Sequence, residues 1–141
     1  MNRREFVLAV LSASQTSLTP VQTQKLFFLI DRKIPHLVGG PFYHFQPYHY
    51  GPFDRQLYDD LDVLKAEGLI AVQQGSVRQY MVSRLGHERG NELLVSLPSA
   101  VQEYVPKLIS WITAMNFPEL VSAIYYEFPD MKVNSVFRGS K

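Results

Sequence analysis

No cysteine occurs in these 141 residues, which excludes a disulfide framework, a thiolate metal site and a cysteine nucleophile. Charge is scarce too: 19% of the residues are Asp, Glu, Lys or Arg, and the formal net charge is +1. A chain so balanced lacks a strong field for steering nucleic acid, so any DNA contact has to come from a local patch. Long apolar runs are also missing. The stretch from Phe6 to Leu11, behind Arg3 and Arg4, is too short to span a membrane, and no small-residue cleavage site follows it. These absences lead us to expect a soluble, cytoplasmic domain of bacterial type with no membrane partner. No repeat, low-complexity segment or linker divides the chain, so 1–141 reads as a single domain. Its core covers about 3–95 and a helical extension about 96–133.

What is present is a sequence of well-marked helix starts and turns. Phe6, Val7, Val10 and Leu11 recur at spacings of three and four and predict a first helix over Arg3 to Ala13. Thr19-Pro20-Val21-Gln22 reads as the next start, with Thr as N-cap, Pro in the first turn and Gln reaching back. Leu26, Phe27, Leu29 and Ile30 follow, and Pro35 ends the helix. After a turn at Gly39-Gly40-Pro41, the aromatic run Phe42 to Tyr50 carries Pro47, which predicts an edge strand or an extended arm. Gly51-Pro52 is then expected to open a helix burying Phe53, Leu57, Leu61 and Leu64, with Gly68 as its C-cap. Leu69 to Val72 and Arg78 to Val82, joined by Gln73-Gln74-Gly75-Ser76, predict a hairpin. Further helices are expected from Ser83 or Gly86 to Leu94, from Pro98 with a kink or break at Pro106, and from Asn116 to a stop at Pro129. The expected fold is α+β and mostly helical: a winged-helix-like core with a small β-hairpin wing and additional C-terminal helices.

Several of these stretches resemble a known group. Gln24-Lys25-Leu26-Phe27-Phe28-Leu29, Tyr50-Gly51-Pro52 followed by Leu57-Tyr58, Gly68-Leu69-Ile70, and Tyr125 to Asp130 with Asn134-Ser135 are similar to the YwgA-like uncharacterised bacterial proteins. A more distant resemblance runs to the Panacea, or antitoxin SocA-like, domain. The resemblance implies a helical domain that acts by binding proteins, as an antitoxin or adaptor does. It brings no catalytic residue with it.

The residues themselves leave two readings of the aromatic run open. It offers either a stacking or hot-spot surface or core filling with the hydroxyls at the edge. The helix before the wing carries Asp54, Asp59, Asp60, Asp62 and Glu67 against Arg55 and Lys65, an unfavourable surface for a polyanion. A protein partner, toxin-like or regulatory, or a second copy of the chain suits it better. Tyr43, Tyr48, His49, Tyr50, Asp54, Tyr58, Asp59 and Asp62 are the candidate partner-binding residues. Arg78, Arg84 and Arg89 are the candidate phosphate contacts of an alternative, DNA-binding regulator. His36, His44, His49 and His87 match no metal-ligand spacing, and no nucleophile motif or phosphate loop accompanies His49. We therefore expect no metal, no cofactor and no catalysis. The last apolar knot, Tyr125 to Met131, is expected to pack on the wing or the first helix, with Asn134-Ser135 capping its turn.

Overall fold

The computed structural model describes residues 1–137. Seven α-helices, one 3-10 turn and two short hairpins follow one another as α1 (Arg3–Ser12), α2 (Pro20–Lys33), α3 (Pro35–Val38), β1 (Gln46–Tyr48), β2 (Gly51–Phe53), α4 (Arg55–Ala66), β3 (Ile70–Gln73), β4 (Gln79–Val82), α5 (Arg84–Val95), α6 (Ser99–Thr113), α7 (Phe117–Glu127) and the 3-10 turn Pro129–Lys132. The chain is thus α+β and mostly helical, with a hairpin directly after α4 and two long helices closing it. Part of the polar tail, 138–141, lies outside the described residues.

The helix starts form for the reasons their sequences suggest. Asn2, Thr19 and Asn116 each accept from the backbone N–H three residues on, while Glu5, Gln22 and Glu119 reach back to the cap. Each reciprocal pair satisfies two donors that the first turn leaves free. Helix α2 forms the centre. Its nine residues from Thr23 to Asp31 are all buried, because other elements cover it on every side. Phe6, Phe27 and Phe28 are the largest side chains fully enclosed, and one continuous apolar cluster takes members from α1 through to Met131. Leu57, Leu61 and Leu64 of α4 join it at 0–2% exposure, each contributing about 2 kcal/mol of burial.

Two glycines let α5 lie against its neighbours. A Cβ on Gly86 would stand 1.9 Å from the Leu69 carbonyl oxygen, and one on Gly90 would stand 2.6 Å from Ser12 Cβ. Helix α5 therefore packs on α1 at a distance that larger residues would not permit.

The structure differs from the sequence reading at several places. Gly51-Pro52 does not open α4; it is strand β2, paired with β1 in the register Gln46 with Phe53, Pro47 with Pro52 and Tyr48 with Gly51. The helix begins three residues later, where the Asp54 carboxylate accepts from Gln56 N–H at 2.8 Å and from His44 N–H at 2.7 Å. Pro35 stops α2 but starts the short α3. Pro106 neither breaks nor divides α6, which runs through it; the residue sits on the exposed side, where water can replace the missing donor. Finally, the C-terminal knot packs on the β1–β2 hairpin and on α2, with the Phe128 ring 4.9 Å from that of Phe28.

Candidate partner-binding surface

The β1–β2 hairpin is held from below and from behind, and its tip is left open. From α2, the Gln24 side-chain amide donates to the Asp54 carbonyl and accepts from the Asp54 N–H, both at 3.0 Å. This two-way bond ties the buried helix to the junction of β2 and α4. Behind the hairpin, the segment after the 3-10 turn acts as a strap: Val136 N–H donates to the His49 carbonyl at 3.0 Å, Ser135 Oγ to the same oxygen at 3.2 Å, and Asn134 Nδ2 to the Pro47 carbonyl at 3.2 Å. Asn134 and Ser135 thus bind the hairpin, and Ser135 Oγ also accepts from the Phe137 N–H at 3.0 Å, which caps the turn there. The Tyr125 hydroxyl donates to Ser135 Oγ at 2.7 Å, so α7 fixes the strap.

Above these ties the aromatic residues point outward. Tyr48 is 51% exposed and Tyr50 45%. Tyr48 stacks on His49 at 4.4 Å and on Phe53 at 5.2 Å, and Phe53 meets Tyr58 edge-on at 5.5 Å. Tyr50 meets the exposed Phe117 of α7 at 5.3 Å. The rings therefore hold one another in place on the surface.

Two of the residues expected to bind a partner are committed elsewhere. Tyr43 is 8% exposed, and its hydroxyl donates to the Asp60 carboxylate. Arg3 closes the same network, its Nε donating to Asp60 Oδ2 at 2.7 Å and its Nη2 to Oδ1 at 3.2 Å. Burial first, and then the Asp60 bond, push the Tyr43 hydroxyl well above the usual range, while Asp60 holds the Arg3 guanidinium more firmly protonated. Asp54 is the other, since it caps α4 and anchors the arm at His44. With Asp54 and Asp60 spent inside the fold, the open face of α4 presents Asp59, Asp62 and Glu67 alongside Arg55 and Lys65. Its acidic excess is smaller than the sequence suggests. Tyr58 is half-buried, and Asp59 and Asp62 are exposed.

The arginines do not converge in the same way. The Arg78 guanidinium lies over the Tyr80 ring at 5.8 Å, and Arg84 faces Glu88 at 3.9 Å one turn along α5. Arg89 is five residues from Arg84, so the two are turned apart by about 140° on that helix. Near the arm, a hollow of about 250 Å³ is lined by Phe28, Asp31, Tyr43 and His44 among others. The Asp31 carboxylate there accepts from the Phe42 and Tyr43 N–H groups, each at 2.9 Å. Burial raises its pKa despite those two bonds, which act the other way. The group organises the arm through these two bonds.

Lys25 went unremarked in the sequence except as part of a motif. It is 3% exposed, and its Nζ lies 3.3 Å from where a Gly51 Cβ would be, with the Tyr125 ring next to that position. Burial pushes the ammonium down to about 8. A signal was present: Leu26 to Ile30 are five consecutive apolar residues, so this helix has no solvent face on which a neighbouring lysine can sit. Gln24-Lys25 and Tyr50-Gly51-Pro52, distant in sequence, are thereby brought into contact.

Compared with models of protein families, with curated proteins and with solved structures, the chain matches none. Among the described residues, no helix is long and apolar enough to cross a membrane.

Proposed function

We propose that this chain is a non-catalytic protein-interaction module, antitoxin-like or adaptor-like, that engages a protein partner through the tip of its β1–β2 hairpin. The unit α4–β3–β4–α5 is winged-helix-like in this reading, and the partner surface lies beside the wing. One observation carries the proposal: Tyr48, His49 and Tyr50 are exposed large side chains on a hairpin tied down at both ends, with Tyr48 stacked on His49 and Tyr50 set edge-on against the exposed Phe117 of α7. Rigid, exposed aromatics are the side chains that supply most binding energy at protein interfaces. The reading also agrees with the resemblance to the YwgA-like and Panacea groups. A regulator that binds DNA would need the arginines gathered on one face, and Arg84 and Arg89 are turned apart.

The test is substitution at the surface with the fold preserved. Tyr48→Ala with Tyr50→Ala is expected to abolish retention of a discrete partner from the cell of origin while the circular dichroism spectrum stays unchanged. Equal retention by the double variant would refute the hairpin as the binding surface. Salt-sensitive binding to duplex DNA lost in Arg78→Ala would favour the regulator instead.

A further inference from the structure

A separate recess lies between α2, α6 and α7. On α6, Tyr104, Lys107, Leu108 and Trp111 follow one another at steps of three, one and three, the spacing that sets side chains on one face of a helix. On α2, Leu29 and Lys33 stand about one turn apart, and Glu127 is the last residue of α7. Together they line a hollow of about 210 Å³. Leu29 and Leu108 are its buried floor, at 0% and 6% exposure, whereas Trp111 is 43% exposed. Tyr104 is half-buried, and Lys33, Lys107 and Glu127 are exposed. The hollow is therefore open to solvent, with an apolar base, an aromatic wall and a charged rim. It is also a different place from the hairpin tip: Phe117, which meets Tyr50, begins α7 and Glu127 ends it, a separation of about 15 Å along the helix.

Size and charge narrow what suits this hollow. An apolar cavity of about 150 Å³ holds benzene, whereas drug-sized ligands occupy roughly 300–1,000 Å³. There is room here for one ring with a short substituent. Tyr104 and Trp111 offer π faces, against which a flat ring gains stacking that an alkyl chain does not. Of the three charged groups at the rim, Glu127 is already engaged, its Oε2 accepting from Lys33 Nζ at 2.6 Å. Lys107 belongs to no ion pair among the described residues. The uncommitted charge is thus positive, and an anionic group complements it.

We propose that this hollow binds a small aromatic monocarboxylate. The ring lies against Trp111 and Tyr104 over the two leucines, and the carboxylate accepts from Lys107 Nζ at the rim. A phosphate dianion calls for an arginine fork or a second free cation, and Lys33 is held by Glu127. A partner helix sets several side chains into a continuous groove, more than a hollow of this volume receives.

The trans-cinnamate anion, one ring with a short acid arm, is the probe. Trp111 is the chain's single tryptophan, so the ¹⁵N spectrum of the full chain carries one indole N–H signal and reads the hollow directly. Sodium cinnamate is expected to shift that signal and the Lys107 amide saturably. Cinnamamide, which keeps the ring and lacks the charge, should bind about three- to fivefold more weakly. Lys107→Gln changes an exposed side chain and should weaken cinnamate by the same factor while leaving cinnamamide unaffected. Trp111→Ala, followed at the Lys107 amide, should remove saturation. Absence of a saturable shift, equal affinity for cinnamate and cinnamamide, or unchanged cinnamate affinity in Lys107→Gln would overturn the proposal. A shift of the indole signal on raising protein concentration alone would also overturn it, because a second copy would then fill the hollow. So would loss of a captured protein partner in Trp111→Ala with no cinnamate response in the parent chain.

Discussion

At the scale of single residues, the buried charges make opposite contributions. Lys25 has a folded pKa of about 8 against an ordinary value of 10.5. Unfolding therefore takes up a proton between those two values, and the protein gains stability as pH rises through that window. Below about pH 8 the penalty is fully present, at roughly 3 kcal/mol. Lys25→Met should raise unfolding free energy at pH 7 by about 1–3 kcal/mol, and the rise of wild-type stability from pH 8 to 9.5 should vanish. Denaturant melts at a series of pH values read both effects. The window stops short of pH 10, where the buried tyrosines, whose folded values are raised, begin to act in the other direction. Asp60 is the converse case, being buried but paired with Arg3 and bonded by Tyr43. Asp60→Ala leaves the Tyr43 hydroxyl without its acceptor and Arg3 without its partner, and should cost about 3 kcal/mol in the same melts.

At the scale of elements, the close contacts of α5 are the most sensitive point. Gly86→Ala places a methyl group 1.9 Å from a backbone oxygen that no side-chain rotation can move, so a loss of about 3 kcal/mol or more is expected. Gly75→Ala in the β3–β4 turn meets nothing closer than 3.8 Å and should change stability by less than about 0.5 kcal/mol. The comparison separates close packing from a general intolerance of alanine. Asp54→Ala should cost about 1 kcal/mol through the lost cap and release the arm at His44.

The element scale is also where the sequence was most legible. Capping at Thr19 with Gln22 and at Asn116 with Glu119 is local chemistry, so α2 and α7 could be placed within a residue. The start of α4 could not, because Gly51-Pro52 suits a first turn as well as a strand. Pairing of Tyr48 with Gly51 decides between them, and such pairing is not written in local propensity. The same limit applies to the surface. Exposure of Tyr48 and Tyr50 and burial of Tyr43 depend on which side of the arm faces α2. Two of the acids on α4 vanish into the fold only because Arg3 and His44 come to meet them.

Across the whole molecule, a heavily tied scaffold carries an exposed aromatic hairpin tip. Helix α2 is enclosed, the strap and α7 fix the hairpin from behind, and the aromatic tip is presented to whatever the protein meets. Site-specific photo-crosslinking tests this most directly, with p-benzoylphenylalanine in place of Tyr48 and, as a control, in place of the exposed Glu103 on α6, in the cell of origin. A discrete adduct with one protein from position 48, lost on Tyr50→Ala and absent from position 103, is the predicted result. No discrete adduct from position 48, or the same adduct from both positions, would contradict the claim that the hairpin tip is the surface through which this protein acts.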